Sequence, residues 1–325
     1  MEIKDLAGLS GPVEKLVQVV AAGIGAIAYP WIVRREARAI ADAQKILADG
    51  GLSFESATMK SFPAQIVSRV TYQEAKRQNN LLKIVDEAHK ELPENVSQEP
   101  VDPDWVNRFF AEAQEVSNEQ MQQLWGRLLA GEVARPGSIS LRTLDHLRNM
   151  TNSDAKLFSK LCEFAFESDA GEVFVLDVNH DRIPATGGEL GSVPIYGFQC
   201  PSLPKLMLAY AAQGLSESNL RLLAELDLIG AVPGDKIVFR REGKSAFEVA
   251  IQSGSRALRV RCERPEDCYY LTLPVVRLTS VGRELFRLHR RGVTPDFDAA
   301  IVELFCDVGF QASWQLIPSR SGPTA

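Results

Sequence analysis

The sequence predicts an α+β protein: an N-terminal helical region and a four-helix bundle, followed by a winged-helix-like α+β domain. Two patterns carry that prediction. Apolar residues recur at helical spacing as far as Phe164, and from Glu172 the chain turns to short apolar runs separated by Gly and Pro, the rhythm of strands. Composition sets the class. With 325 residues, 45% hydrophobic and 24% charged, the chain has the makeup of an ordinary globular protein and the length for two or three cores. Three segments follow: a helical oligomerisation or membrane-associating region over 1–95, a compact bundle over 96–170, and the winged-helix-like domain over 171–325.

From Leu16 to Val33 no residue is charged, and Leu16, Val20, Ile24, Ile27 and Trp31 form a helical stripe with Arg34 and Arg35 just beyond it. Ala22, Gly23, Gly25 and Ala26 would let another helix approach closely, and Pro30 should break the segment. This stripe and its basic flank are the expected oligomer or membrane-surface contact, through residues 13–38. After Gly50-Gly51, a helix from Pro63 to about Leu92 has apolar ends and a polar middle, TYQEAKRQNN, which reads as a solvated arm. The polar stretch PENVSQEPVD, 93–102, reads as a domain boundary.

The bundle is the best specified part. Asp102 caps a helix with Pro103 in first position, and Trp105, Phe109, Phe110 and Ala113 make its apolar face. Ser117 and Gln120 have the spacing of a capping box for a second helix that buries Met121, Leu124, Trp125, Leu128 and Leu129. Ser138 or Ser140 starts a third helix and Ser153 a fourth. Beyond them, strands are expected at Val173–Val178, Lys236–Arg240, Phe247–Gln252, Ala257–Cys262, Tyr269–Leu273 and Ala312–Ile317. Helices fall at Leu203–Gln213, Ser216–Leu226, Val281–His289 with Thr279 as cap, and Phe297–Cys306. Two helices, then strands, then LTSVGREL is the order of a winged helix with an enlarged wing.

The segments DWVNRFF, VSNEQMQQLWGRLLAGE and RPGSISLRTLDHL, within Asp104 to Leu161, resemble a bacterial family, domain-of-unknown-function family 2806. PWIVRREARA and EAKRQNNLLKIV extend the resemblance upstream. It implies no defined activity. The layout of a small-residue-rich N-terminus followed by helices is also loosely similar to abortive-infection alpha type phage-defence proteins.

The search for chemistry returns little. His89, His146, His180 and His289 have no partner at metal-ligand spacing, no phosphate-binding or nucleophile motif is present, and no cofactor or metal is expected. Arg283 and His289 match the loose Arg–His spacing of HEPN-type ribonucleases. Five cysteines, an odd number, and no opening signal peptide point to a reduced, cytoplasmic protein, peripheral at the inner membrane if the N-terminal segment meets lipid. The net charge of −6 excludes a uniformly basic nucleic-acid-binding coat. Residues 205–291 nonetheless hold 15 Lys plus Arg against 10 Asp plus Glu. Within them, Arg259 and Arg261 share one face of a strand with Arg256 and Arg264 at its ends, a row suited to nucleic acid or an acidic partner.

The resulting expectation is a non-enzymatic interaction or effector protein, a homo-oligomer through its N-terminal helices, acting in phage defence at the membrane. Its rivals are a nucleic-acid-binding winged-helix regulator and a HEPN-like ribonuclease. Trp125 is expected in the bundle core against Phe109 and Phe110, so Trp125→Ala should cost about 3–5 kcal/mol and Ser117→Ala about 1 kcal/mol. Thermal melts measure both, and a Trp125→Ala variant as stable as the parent would place the indole at a surface.

Overall fold

The structure, a computed structural model, describes residues 10–24, 62–168, 170–178, 185–188, 191–193, 201–230, 235–240, 247–262, 270–289, 294–307 and 309–317. The chain divides into two units, 1–152 and 153–325.

The described residues of unit 1 form five helices: α1 (Gly11–Ile24), α2 (Phe62–Glu91), α3 (Pro103–Ala113), α4 (Glu119–Ala134) and α5 (Leu141–Asn149). Capping side chains set three of the starts by accepting N–H groups that a first turn leaves without partners. Asp102 accepts from Asp104 N at 2.8 Å with Pro103 in first position, and Ser140 accepts from Thr143 N at 3.3 Å. The expected cap at Ser117 moves on by one residue. Asn118 accepts from Met121 N at 3.1 Å, which frees the Ser117 hydroxyl to accept from Asn80 Nδ2 at 3.2 Å.

That shift belongs to a buried polar network between α2 and the α3–α4 turn. Asn80 donates to the Gln114 carbonyl at 2.8 Å and accepts from Gln122 Nε2 at 3.2 Å, while Gln122 also donates to the Val116 carbonyl at 2.9 Å. Asn80 is buried although it closes the polar stretch of α2; Thr71 to Lys76 are exposed, as a solvated arm requires. Farther along, Ile84 and Ala88 of α2 are fully buried on α4 at Gly126. A Cβ on Gly126 would stand 2.5 Å from Glu87 Cβ and 3.0 Å from the Ala88 nitrogen, so glycine permits the approach. The aromatic core gathers on α3 and α4: Trp105 stacks on Phe109 at 5.0 Å, and Phe109 meets the fully buried Trp125 at 5.3 Å. Segment 93–102 lies inside unit 1 instead of bounding it, because the apolar C-terminal half of α2 finds its cover on α4.

Unit 2 contains α6 (Asn152–Cys162), β1 (Phe166–Glu167), β2 (Val173–Leu176), β3 (Ala185–Gly188), β4 (Gly191–Val193), α7 (Leu203–Ala212) and α8 (Glu217–Glu225). It continues with β5 (Lys236–Arg240), β6 (Glu248–Ser253), β7 (Arg256–Cys262), β8 (Tyr270–Arg277), α9 (Ser280–Phe286), α10 (Pro295–Asp307) and β9 (Phe310–Leu316). Helix α6, expected as the fourth helix of the bundle, belongs here. Just after it, the Phe164 ring packs on Tyr210 and Phe297 at 4.7 and 4.6 Å.

The strands pair antiparallel in the order β4-β3-β8-β2-β1-β6-β7-β9, with β5 also on β8. Strand β8 is the hub, pairing β2 through Val275 to Arg277 and β5 through Tyr270 to Pro274. Strands β6 and β7 form a hairpin whose turn uses Gly254 at φ 64. Strands β1, β3 and β4 were not expected; Ala185–Gly188 has little strand propensity, and β8 supplies its pairing.

Gly126→Ala should destabilise by about 2–3 kcal/mol through overpacking, more than the roughly 1 kcal/mol that alanine adds in helix propensity. Chemical denaturation of the full chain reads the difference, and an unchanged midpoint would mean that α2 and α4 do not meet at this residue.

Candidate interaction surface

The three described arginines of the predicted basic row have different fates. Arg256 binds Asp298 of α10 through both terminal guanidinium nitrogens, at 2.6 and 3.1 Å, and lies 4.5 Å from the centre of the Trp314 ring. With side chains 17% and 11% exposed, this pair is spent on structure. Arg259 meets Glu248 at 2.8 Å in the open, where a pair contributes about 0–1 kcal/mol and yields readily to another partner. Arg261 is exposed, and Arg264 lies outside the described residues. Around them the outer face of the sheet is mixed and polar: Glu248 and Ala250 on β6, and Gln311, Ser313 and Gln315 on β9, all exposed.

Helix α7 is apolar on two faces. Leu203, Leu206 and Tyr210 are buried, while Pro204, Met207, Leu208 and Ala211, at i, i+3, i+4 and i+7, lie exposed. Its single charge, Lys205, donates to Glu303, and that hydrogen bond holds the Glu303 carboxyl below the usual carboxylate range. Helix α8, capped by Ser216, exposes Glu217, Ser218, Arg221, Leu222 and Glu225, and Arg221 donates to Glu217. The outward stripe of α7 was missed in the sequence, although LPKLMLAYAA carries one charge in ten residues.

In unit 1 the N-terminal stripe goes inward. Leu16 and Val20 are fully buried and Ile24 is half-buried, so the first residues of the expected oligomer or membrane contact form core between α1, α3 and α4. Gly23 makes the close helix approach foreseen for it, against the Phe110 ring. Ile27, Trp31, Arg34 and Arg35 lie outside the described residues, among which no helix is long and apolar enough to cross a membrane.

A cavity of about 370 Å³ opens between α1 and segment 96–103, with Glu14, Lys15, Gln18 and Glu99 on its wall. Lys15 donates to the Ser97 carbonyl at 2.7 Å; burial lowers its pKa, and the charges of Glu132 and Glu99 oppose that shift. Glu132, 1% exposed, accepts from Gly137 N at 2.6 Å, Ile139 N at 2.9 Å and Ser138 Oγ at 3.3 Å. Burial raises its pKa against those hydrogen bonds. The carboxylate holds the 137–139 turn.

Of the Arg–His pair, the histidine lies against the end of α6. His289 faces Ser159 Oγ through Nδ1 at 3.2 Å and Glu163 Oε1 through Nε2 at 2.9 Å, so both ring nitrogens clasp the end of α6. Among the described residues no group of three or more His, Cys, Asp or Glu could hold a metal.

A family model described as protein of unknown function, DUF2806, matches residues 64–301. The chain belongs to this family. The DUF2806 match runs from α2 into α10 and so takes in both units, well beyond the helices that carry the resemblance in the sequence. Comparison with curated proteins and with solved structures finds no match.

Glu132 gives this DUF2806 chain a pH dependence of definite sign. A carboxyl whose folded-state pKa stands above its unfolded value holds its proton more tightly when folded, so stability is lost as pH rises from 4.5 through the raised value. Thermal melts from about pH 4 to pH 8 should show a shallower loss for Glu132→Gln than for wild type. Glutamine sets an amide against backbone donors, which lowers the whole curve; parallel curves would show that Glu132 does not titrate in the fold.

Proposed function

We propose that the protein is a non-enzymatic interaction protein that self-associates. The observation that carries this reading is the exposed apolar stripe of α7, where Leu208 is 70% and Met207 43% exposed. Uncharged surface of this kind suits contact with protein. Cations close to it are engaged by carboxylates of the same unit, Lys205 by Glu303 and Arg221 by Glu217.

A second reading, a nucleic-acid-binding winged helix, has its own support. The order α6, β2, α7, α8, β5, β8, with β8 between β2 and β5, is similar to that of a winged helix, and the β6–β7 hairpin is inserted between β5 and β8 in the chain while pairing with β1 and β9. Arg259 and Arg261 would then be phosphate contacts of that inserted hairpin. Against it, the recognition helix would be α8, which presents Glu217 and Glu225 to the groove. The ribonuclease reading has weaker support, since His289 is engaged at both nitrogens. A role in phage defence at the membrane rests on the looser abortive-infection likeness and on residues 25–38.

Duplex binding across a salt series separates the first two readings. The interaction reading expects none at about 50 mM salt, whereas affinity that falls with salt, by a slope that Arg259→Ala plus Arg261→Ala flattens by about two units, would establish the second. Incubation with total RNA should leave it intact; cleavage lost in His289→Ala would overturn the non-enzymatic reading.

A further inference from the structure

Strand β9 ends the strand order of unit 2, and among the described residues no strand pairs with its outer edge. The ladder to β7 tells which groups that edge presents. Ile317 N donates to the Ser255 carbonyl at 2.9 Å, and hydrogen-bonded pairs alternate along antiparallel strands, so Gln311, Ser313 and Gln315 bond inward to β7. Phe310, Ala312, Trp314 and Leu316 therefore turn their N–H and C=O groups outward.

Such an edge is a template for another strand, and proteins blunt it with charge, proline or brevity. Strand β9 has none of these: its seven residues, FQASWQL, include no charge and no proline. Strand β5, by contrast, carries Lys236 and Arg240 at its two ends.

The sequence of β9 also complements itself about Ser313. In an antiparallel copy centred there, Gln311 faces Gln315, Ala312 faces Trp314, Phe310 faces Leu316, and Ser313 faces its own copy. Polar side chains meet polar ones on the exposed face, a small residue meets a large one, and Leu316, 78% exposed, comes opposite an aromatic residue. Like charges do not meet along the strand, and two acids of the neighbouring α10 already have cations, Asp298 with Arg256 and Glu303 with Lys205.

Resting on the self-association reading above, we propose that two copies of the chain pair antiparallel through β9, with the two-fold axis at Ser313, and join their sheets into one.

Sedimentation equilibrium of the full chain at micromolar concentration should give twice 35.8 kDa, and Ser313→Lys, which sets two ammonium groups opposite each other, should give the single mass. Crosslinking tests the register even if that variant folds poorly. In a Cys306→Ser background, oxidation should join Ser313→Cys to its copy, because a non-hydrogen-bonded pair brings Cα atoms to about 4.5 Å, within disulfide reach. Gln311→Cys should stay uncrosslinked, since its copy lies four residues along the strand, roughly 13 Å away. A wild-type monomer would overturn both the pairing and the self-association reading. A dimer that Ser313→Lys leaves intact, or equal crosslinking of the two cysteines, would overturn the pairing alone.

Discussion

The C-terminal half of unit 2 depends on the clasp between Arg256 and Asp298. It ties the start of β7 to the first turn of α10, and Trp314 closes it from β9, with its ring on the guanidinium and its Nε1 donating to the Asp298 carbonyl at 3.1 Å. Removing one partner of such a buried pair leaves the other charged and dry, at a cost of about 3–5 kcal/mol. The geometry it holds matters further in. Phe297, next to Asp298, is thereby fixed against Phe164 and Phe166, so an ion pair near the surface sets the position of the aromatic core under the sheet. It also sets β9 along β7 over its whole length, which makes β9 the edge.

What could be read from the sequence was local. Caps at Asp102 and Thr279 stand where side-chain chemistry placed them, Ser140 is the cap of the two serines offered for its helix, and strands β5 and β7 fall within a residue of their expected bounds. Trp125 is core, as its helical face required. The misreadings are those in which a distant residue decides. Asp298 lies 42 residues from Arg256, and nothing in RALRVRC says that the first arginine will be consumed and the second only lightly held. Asn80 looks like the end of a solvated arm until Gln122, 42 residues on, is seen to bond it. The cap that moved from Ser117 to Asn118 did so for the same network, in which a hydroxyl had a better use than capping. Strands β3 and β4 follow the same rule, since Gly-rich segments pair only where a neighbour such as β8 offers its edge.

The candidate surface follows from where charge is used. Residues 205–291 carry a net +5, which by itself would suggest phosphate as a partner. Among the described residues, part of that charge is held by carboxylates: Arg277 by Asp235 and Glu172, Arg256 by Asp298, Lys205 by Glu303, Arg221 by Glu217. On β7 the side chains that could turn to a phosphate without dismantling the fold are Arg259 and Arg261. Two contacts give a salt slope of only about −1.8, so a fourfold rise in salt changes affinity roughly tenfold, against the 10³ to 10⁵ of proteins that grip six to ten phosphates. By themselves the two β7 arginines would supply only a small part of such a grip. The apolar stripe of α7 and the uncharged edge of β9 face no such shortfall, because burying carbon and pairing backbone groups draw on the two interactions that those surfaces have left unused.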